Sequence, residues 1–281
     1  MAHSHAELLP AARIRLREVP APQPPSGERR ARDRAWAEAV QANPALFDGP
    51  LAVCAGLRRD GAGELVITWA RTTYRSRLLR RVPGTTAWLP SLFTGVVQST
   101  DDGRLLVVRN GPTTSAPGRW QLPGGSLEPP PDGRAPLDEA AVRRHAALEL
   151  LEETGLDTPP DALVLWRVVR GVRNVGVLFR APARPAALLH RRFADLTAAE
   201  TARGRTPEID RIALVSAPAA LRTLGGPCAD YLEPVARAIL GDTDPAGGTD
   251  PAGDTDPAGD TDPAGDTDPA DDRPSPPASP P

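Results

Sequence analysis

The sequence predicts an α+β or layered α/β/α fold rather than a doubly wound parallel sheet. Strands and helices mix along the chain without a regular βαβ repeat. One strongly helical run, Leu137 to Thr154, interrupts a series of short strand-like segments. A third observation sets where the fold ends. From Gly241 the unit Asp-Thr-Asp-Pro-Ala-Gly recurs with small variations, and residues 241–281 hold eleven Asp, one Arg, ten Pro and no large apolar side chain. Such a segment buries too little apolar surface to offset its chain entropy. It is expected to be a disordered acidic tail, leaving a folding body of about 240 residues.

Residues 1–25 are Pro-rich and are expected to form a flexible arm. Residues 26–91 read as a small α+β region. Its helix runs from about Glu28 to Ala42 and ends at Asn43-Pro44, because the residue before proline avoids helical geometry. Leu51–Leu57 and Glu64–Ala70 read as strands joined around Asp60-Gly61, a hairpin signal. Thr72 to Arg81 reads as a short helix. A main domain spans 92–240. It opens with a second expected hairpin, Leu92–Gln98 and Arg104–Arg109 around Asp101-Asp102-Gly103. A loop rich in Thr, Ser, Gly and Pro leads to Arg119-Trp120-Gln121-Leu122-Pro123-Gly124-Gly125, and a Pro-rich insert, Glu128 to Gly133, precedes the long helix. Gly155 is a natural helix stop. Leu163–Arg170, Asn174–Arg180 and Arg211–Val215 read as strands. Ser216-Ala217-Pro218 starts a helix with proline in its first turn. Ala229–Leu240 is a last helix, delayed by Pro234.

The net charge is −3, but the tail is strongly acidic, so residues 1–240 carry +7. All of the non-histidine positive charge is Arg, since the chain has no Lys. Arg pairs bidentately with phosphate, which suits an anionic ligand. Cys54 and Cys228 stand far apart and offer neither a disulfide framework nor a zinc spacing. No apolar stretch approaches the roughly 20 residues of a membrane span. The start Met-Ala-His-Ser-His lacks the apolar core of a secretory signal. A cytoplasmic protein with no membrane or nucleic-acid partner is the expectation, its oligomeric state left open.

The chemistry is concentrated at one helix end, Ala147-Leu148-Glu149-Leu150-Leu151-Glu152-Glu153-Thr154-Gly155-Leu156. Glu149, Glu152 and Glu153 stand at i, i+3 and i+4 and share a face, with His145 one turn earlier. Leu148, Leu150 and Leu151 are expected to supply the packing face. Like charges at this spacing repel by roughly 0.2–0.5 kcal/mol per pair. A helix C-terminus also disfavours carboxylates. A bound cation would reverse both penalties, and carboxylate oxygens suit Mg²⁺ or Mn²⁺. Upstream, Gly124-Gly125 allows backbone to approach a ligand closely.

A diglycine turn, an acidic loop and a helix ending Glu-x-x-Glu-Glu-x-Gly together resemble the Nudix box, Gly-x5-Glu-x7-Arg-Glu-U-x-Glu-Glu-x-Gly-U with U apolar. Gly125 fits the leading glycine; Glu149, Leu150, Glu152, Glu153, Gly155 and Leu156 fit the end. The interval between the two glycines is nine residues too long, and the Pro-rich insert accounts for the excess. Strict spacing puts the first box Glu at Ala140, with Glu128 and Glu139 as candidate vestiges. Leu148 stands where the family has an Arg that helps fix the carboxylates, and Arg144 is the candidate substitute.

The resemblance covers about 92–225. It implies an α/β/α sandwich with a mixed sheet and hydrolysis of a nucleoside diphosphate linked to another moiety. It implies Mg²⁺, with Mn²⁺ as an alternative, held by Glu149, Glu152 and Glu153 with the Gly125 carbonyl. Ala45–Pro50 and Trp69–Tyr74 look like the N-terminal part of a long-box branch that includes UDP-sugar pyrophosphatases, so an NDP-sugar is the first expectation. ADP-ribose and nucleoside triphosphates are alternatives, as is a nucleotide-binding module without turnover. A glutamate outside the box often activates water in this family. Glu208 is the candidate, with Glu200 and Glu153 as rivals. Arg119, Trp120, Gly124 and Arg170 are candidate substrate contacts, together with Arg167 and Arg173, whereas Trp166 is expected in the core and His145 in solvent.

Overall fold

The computed structural model describes residues 6–61, 63–131 and 135–241. The expectation of a disordered tail, Gly241 apart, falls outside the described residues. Among the described residues, ten strands and four α-helices form an α/β/α sandwich. The strands are β1 (Glu7–Pro10), β2 (Ile14–Glu18), β3 (Pro50–Arg59), β4 (Leu65–Thr73), β5 (Ser91–Val97), β6 (Leu105–Asn110), β7 (Trp120–Gln121), β8 (Val164–Arg170), β9 (Asn174–Arg180) and β10 (Ile209–Val215). The helices are α1 (Ser26–Ala42), α2 (Glu139–Thr154), α3 (Ala186–Ala202) and α4 (Leu232–Leu240). The runs 74–81 and 218–223, expected as helices, are 3-10 turns.

Seven strands form a mixed sheet in the order β1-β8-β9-β5-β3-β4-β2, and three more form a second sheet, β10-β6-β7. β2 runs parallel to β4 and β5 parallel to β9; the other pairings are antiparallel. The first expected hairpin is present as β3 and β4. The second is corrected. Its turn forms, with the Thr100 N–H donating to the Arg104 carbonyl at 2.8 Å and Gly103 at a φ of 85°. Beyond it the two strands part, β5 pairing with β9 while β6 pairs with β10 and β7.

Residues 7–18 are a further correction. Expected as part of a flexible arm, they supply both edge strands of the large sheet, β1 beside β8 and β2 beside β4. Strands from residues 7–73 and from the main domain therefore share one sheet, which does not divide at residue 91.

Strand alternation builds the two larger of three apolar cores. On β5, Leu92 and Val96 face one side while Phe93 and Val97 face the other; on β9, Val177 and Phe179 oppose Leu178. This is the two-residue period of a strand buried on both faces. The first core receives Val142, Ala146, Ala147 and Leu150 from α2, the second Leu232, Val235 and Ala236 from α4. Among the described residues no helix is long and apolar enough to cross a membrane. Cys54 is a buried and Cys228 an exposed free thiol.

Candidate active site

The diglycine turn is built into the large sheet. The Thr94 N–H donates to the Gly125 carbonyl at 2.9 Å and the Val96 N–H to the Pro123 carbonyl at 2.8 Å. The Leu127 N–H donates to the Leu92 carbonyl at 3.0 Å, so residues 123–127 run along β5. Gly124 has a φ of 145°, and a Cβ there would lie 2.2 Å from the Thr94 oxygen. Only glycine fits.

Helix α2 begins where Asp138 accepts the Ala141 N–H at 2.7 Å, with Glu139 in the first turn favouring the helix dipole. It ends on Gly155, left-handed at a φ of 73°. At ~100° per residue, Val142, Ala146, Leu150 and Glu153 fall on one stripe. All four are buried, so the same periodicity that packs the helix draws Glu153 inside. Leu148 and Leu151 fall on the opposite side and are 47% and 39% exposed. The expected packing face is thus corrected: of those three leucines only Leu150 packs.

Glu153 is 3% exposed, and its Oε2 accepts the Gly124 N–H at 2.7 Å. Glu149 lies against the other glycine. A Cβ on Gly125 would stand 2.1 Å from Glu149 Oε1, so that glycine is what makes room for the carboxylate. Glu152 is exposed at the helix end, and Glu208, just before β10, joins the group on the rim. Burial first, then the negative charge of Glu149, raises the pKa of Glu152, of Glu208 and most strongly of Glu153. Four carboxylates therefore share one field. A cleft of about 640 Å³ reaches Glu152, Glu153 and Glu208, with Arg192 and Thr197 on α3 and Arg205 as its opposite wall. Glu149 and the diglycine turn do not line it.

Several other expected site residues are engaged by protein partners. The Gly125 carbonyl, expected to face a metal, accepts the Thr94 N–H, while Gly124 supplies the amide that meets Glu153. Trp120 is fully buried in the second core and donates its indole N–H to the Gly225 carbonyl at 2.8 Å, so it is no stacking platform. Arg119 donates to Gln121 Oε1 at 2.9 Å, and its Nε is buried without a hydrogen-bond partner. Arg170 pairs with Glu7 on β1 at 3.2 Å. Trp166, expected in the core, is half-buried and packs against the second core, with the guanidinium groups of Arg167 and Arg180 over its ring.

Arg144 does not replace the missing box arginine, because it is exposed on the far face of α2, nearly opposite Glu153. Glu139, a candidate vestige, is held by Arg143 at 2.5 Å, and Glu128, the other, is exposed. Glu200 is bound to Arg203 and Arg205, and the Arg205 hydrogen bond lowers its pKa. The residue that sequence reasoning underrated is His145. Its Nε2 lies 3.0 Å from Glu149 Oε1 and 3.2 Å from the Ser126 carbonyl. Burial pulls its pKa down, but the Glu149 carboxylate and the Ser126 carbonyl outweigh that and leave it raised.

Among the described residues no three His, Cys, Asp or Glu side chains already converge as a metal cage. The donor set nevertheless fits a hard divalent cation. Glu153 is a sunken carboxylate beside three other acids, and all-oxygen donors of this kind are what Mg²⁺ and Mn²⁺ take.

The family model described as NUDIX domain matches residues 91–232, half of the chain. No curated protein matches it. Among solved structures, the chain is similar to a MutT protein from Methanosarcina mazei Go1 at 15% identity, over 53% of this chain and 91% of that one, with a TM-score of 0.35. It is similar to a NUDIX hydrolase from Nitrosomonas europaea at 19% identity, over 54% and 86%, with a TM-score of 0.32. A bifunctional NMN adenylyltransferase/ADP ribose pyrophosphatase from Francisella tularensis, complexed with AMP and a Mn ion, is 15% identical over 57% and 43%, with a TM-score of 0.32.

Proposed function

We propose that this chain, which belongs to the NUDIX family and is therefore a pyrophosphohydrolase, acts on a nucleoside diphosphate linked to a second moiety, with an NDP-sugar as the preferred class. The observation that carries the chemistry is Glu153, sunk beside the diglycine turn and surrounded by Glu149, Glu152 and Glu208. Such a group stores negative charge that a divalent cation and its phosphate ligand would relieve.

Glu149, Glu152 and Glu153 are the residues that would hold Mg²⁺ or Mn²⁺. A cation held there would neutralise pyrophosphate charge and lower the pKa of a water. Glu208, on the rim of the cleft and raised in pKa by burial and by its acidic neighbours, is suited to take the proton from the attacking water. A bond forms between the water oxygen and one phosphorus, and the bridging P–O bond breaks. A nucleoside monophosphate and a phosphorylated remainder are released. Arg192, on the opposite wall, would supply a contact to phosphate oxygens, whereas Arg205 is held by Glu200. The diglycine turn and the helix end, both fixed by the sheet, give the carboxylates a rigid frame.

The test is a panel of UDP-glucose, ADP-ribose, a dinucleoside polyphosphate and a dNTP with Mg²⁺, read by monophosphate release. Preferential turnover of UDP-glucose supports the NDP-sugar assignment. Preference for ADP-ribose or the dNTP replaces that substrate class and keeps the chemistry. Tight binding with no turnover on any substrate overturns the hydrolytic reading.

A further inference from the structure

We propose that His145 is a positioning residue that pins Glu149 against Gly125, a task for which this chain has no arginine at position 148. The inference rests on the hydrolase reading above. Its basis is geometric. The Glu149 carboxylate is confined on one side by the Cα of Gly125, where even a Cβ would stand 2.1 Å from Oε1. On another side the His145 Nε2 stands 3.0 Å from the same oxygen. That nitrogen is also 3.2 Å from the Ser126 carbonyl, so one imidazole ties helix α2, its carboxylate and the loop after the diglycine turn together.

Among the described residues no arginine forms an ion pair with Glu149. Leu148 is 47% exposed on the far face of α2, and Arg144 is exposed on that face too. Arg143 is held by Glu139 and lies over the Phe179 ring at 5.8 Å. His145 stands one turn before Glu149 on the same helix face, where i and i+4 side chains meet. A carboxylate already held in one rotamer loses less freedom when it takes up a cation. Groups that orient a ligand in this way are worth roughly 10–100-fold in metal affinity.

The experiment titrates Mn²⁺ alone into the full chain, reading free Mn²⁺ by its paramagnetic resonance signal, alongside turnover and thermal midpoint. His145→Phe keeps a ring and removes the polar nitrogen; His145→Gln restores an N–H donor at similar reach. His145→Phe is expected to weaken Mn²⁺ binding by roughly 10–100-fold and to raise the Mn²⁺ needed for half-maximal turnover by the same factor. At saturating metal, KM for the nucleotide stays unchanged, and His145→Gln stays within about threefold of the parent affinity. If His145→Phe melts early, His145→Leu replaces it in the same comparison. A Phe or Leu variant that binds Mn²⁺ like the parent overturns the proposal, and so does a Gln variant that loses as much as they do. A parent chain that binds no Mn²⁺ removes the hydrolase reading and this proposal together. Parent binding with an unaffected Phe variant removes this proposal alone.

Discussion

The buried carboxylate of Glu153 accepts the amide hydrogen of Gly124 at 2.7 Å, joining the end of α2 to the diglycine turn. Burial first, then the charge of Glu149, raises its pKa well above the ordinary carboxylate value. The unfolded chain keeps that ordinary value. As pH rises, the unfolded state therefore ionises first, and Glu153 subtracts stability until the folded-state pKa is passed. Metal-free parent protein and Glu153→Gln should thus melt together near pH ~4, whereas the parent should melt lower near pH ~8. Divalent cation should close that gap, because it displaces the proton. Thermal melts of both proteins at the two pH values, with and without Mg²⁺, check this.

The two glycines of the turn should respond differently to alanine. At Gly124 the backbone is at a φ of 145° and a Cβ would strike the Thr94 oxygen. Gly124→Ala should therefore cost about 1–3 kcal/mol or more in stability. At Gly125 the three atoms nearest a Cβ all belong to the Glu149 carboxylate, the end of a flexible side chain. Gly125→Ala should leave stability within about 1 kcal/mol while displacing that side chain and cutting turnover. Denaturant midpoints and kcat, measured on both variants, separate the two effects.

Glu208 and Glu200 line the same cleft but face different charges. Burial first, then the charges of Glu149 and Glu152, raises the pKa of Glu208, whereas the Arg205 hydrogen bond holds that of Glu200 down. Glu208→Gln should lower kcat by roughly 10²–10⁴-fold, the usual share of a general base. Glu200→Gln should change kcat by less than about threefold, since exposed ion pairs are worth little. Steady-state kinetics at saturating Mg²⁺ decide between the two.

Trp120 is a core residue. It is fully buried, and its indole N–H is satisfied by Gly225. Trp120→Ala should cost about 3–5 kcal/mol of stability, and Trp120→Phe less, with KM unchanged in whatever fraction stays folded. Unfolding curves together with KM measurements distinguish this from a base-stacking role, in which KM rises and stability holds.

Much of this was legible in the sequence because helical and strand periods are local. The helix now seen at 139–154, its stop at Gly155 and the first hairpin follow from capping, glycine and turn chemistry. The stripe Val142, Ala146, Leu150 also carried the signal that Glu153 is buried, had it been extended one more turn. What was not legible is non-local. β5 and β6 look like a hairpin, yet their partners, β9 and β10, stand far downstream. Residues 7–18 become strands only because β8 and β4 offer them edges. α3 escaped notice because a single residue of its 17, Leu189, is buried, so core packing scarcely constrains its composition. Trp120 reads equally as a stacking platform or a core anchor until Gly225 is found beside its indole nitrogen.

The central claim is that the acids at the end of α2 hold the cation that hydrolysis needs. Monophosphate release by the parent chain, Glu152→Gln and Glu153→Gln, assayed with and without Mg²⁺ on the best substrate of the panel, tests it most directly. The account predicts turnover by the parent only when Mg²⁺ is present and a loss of roughly 10²–10³-fold in each variant at an unchanged fold. Full activity in both glutamine variants would contradict it.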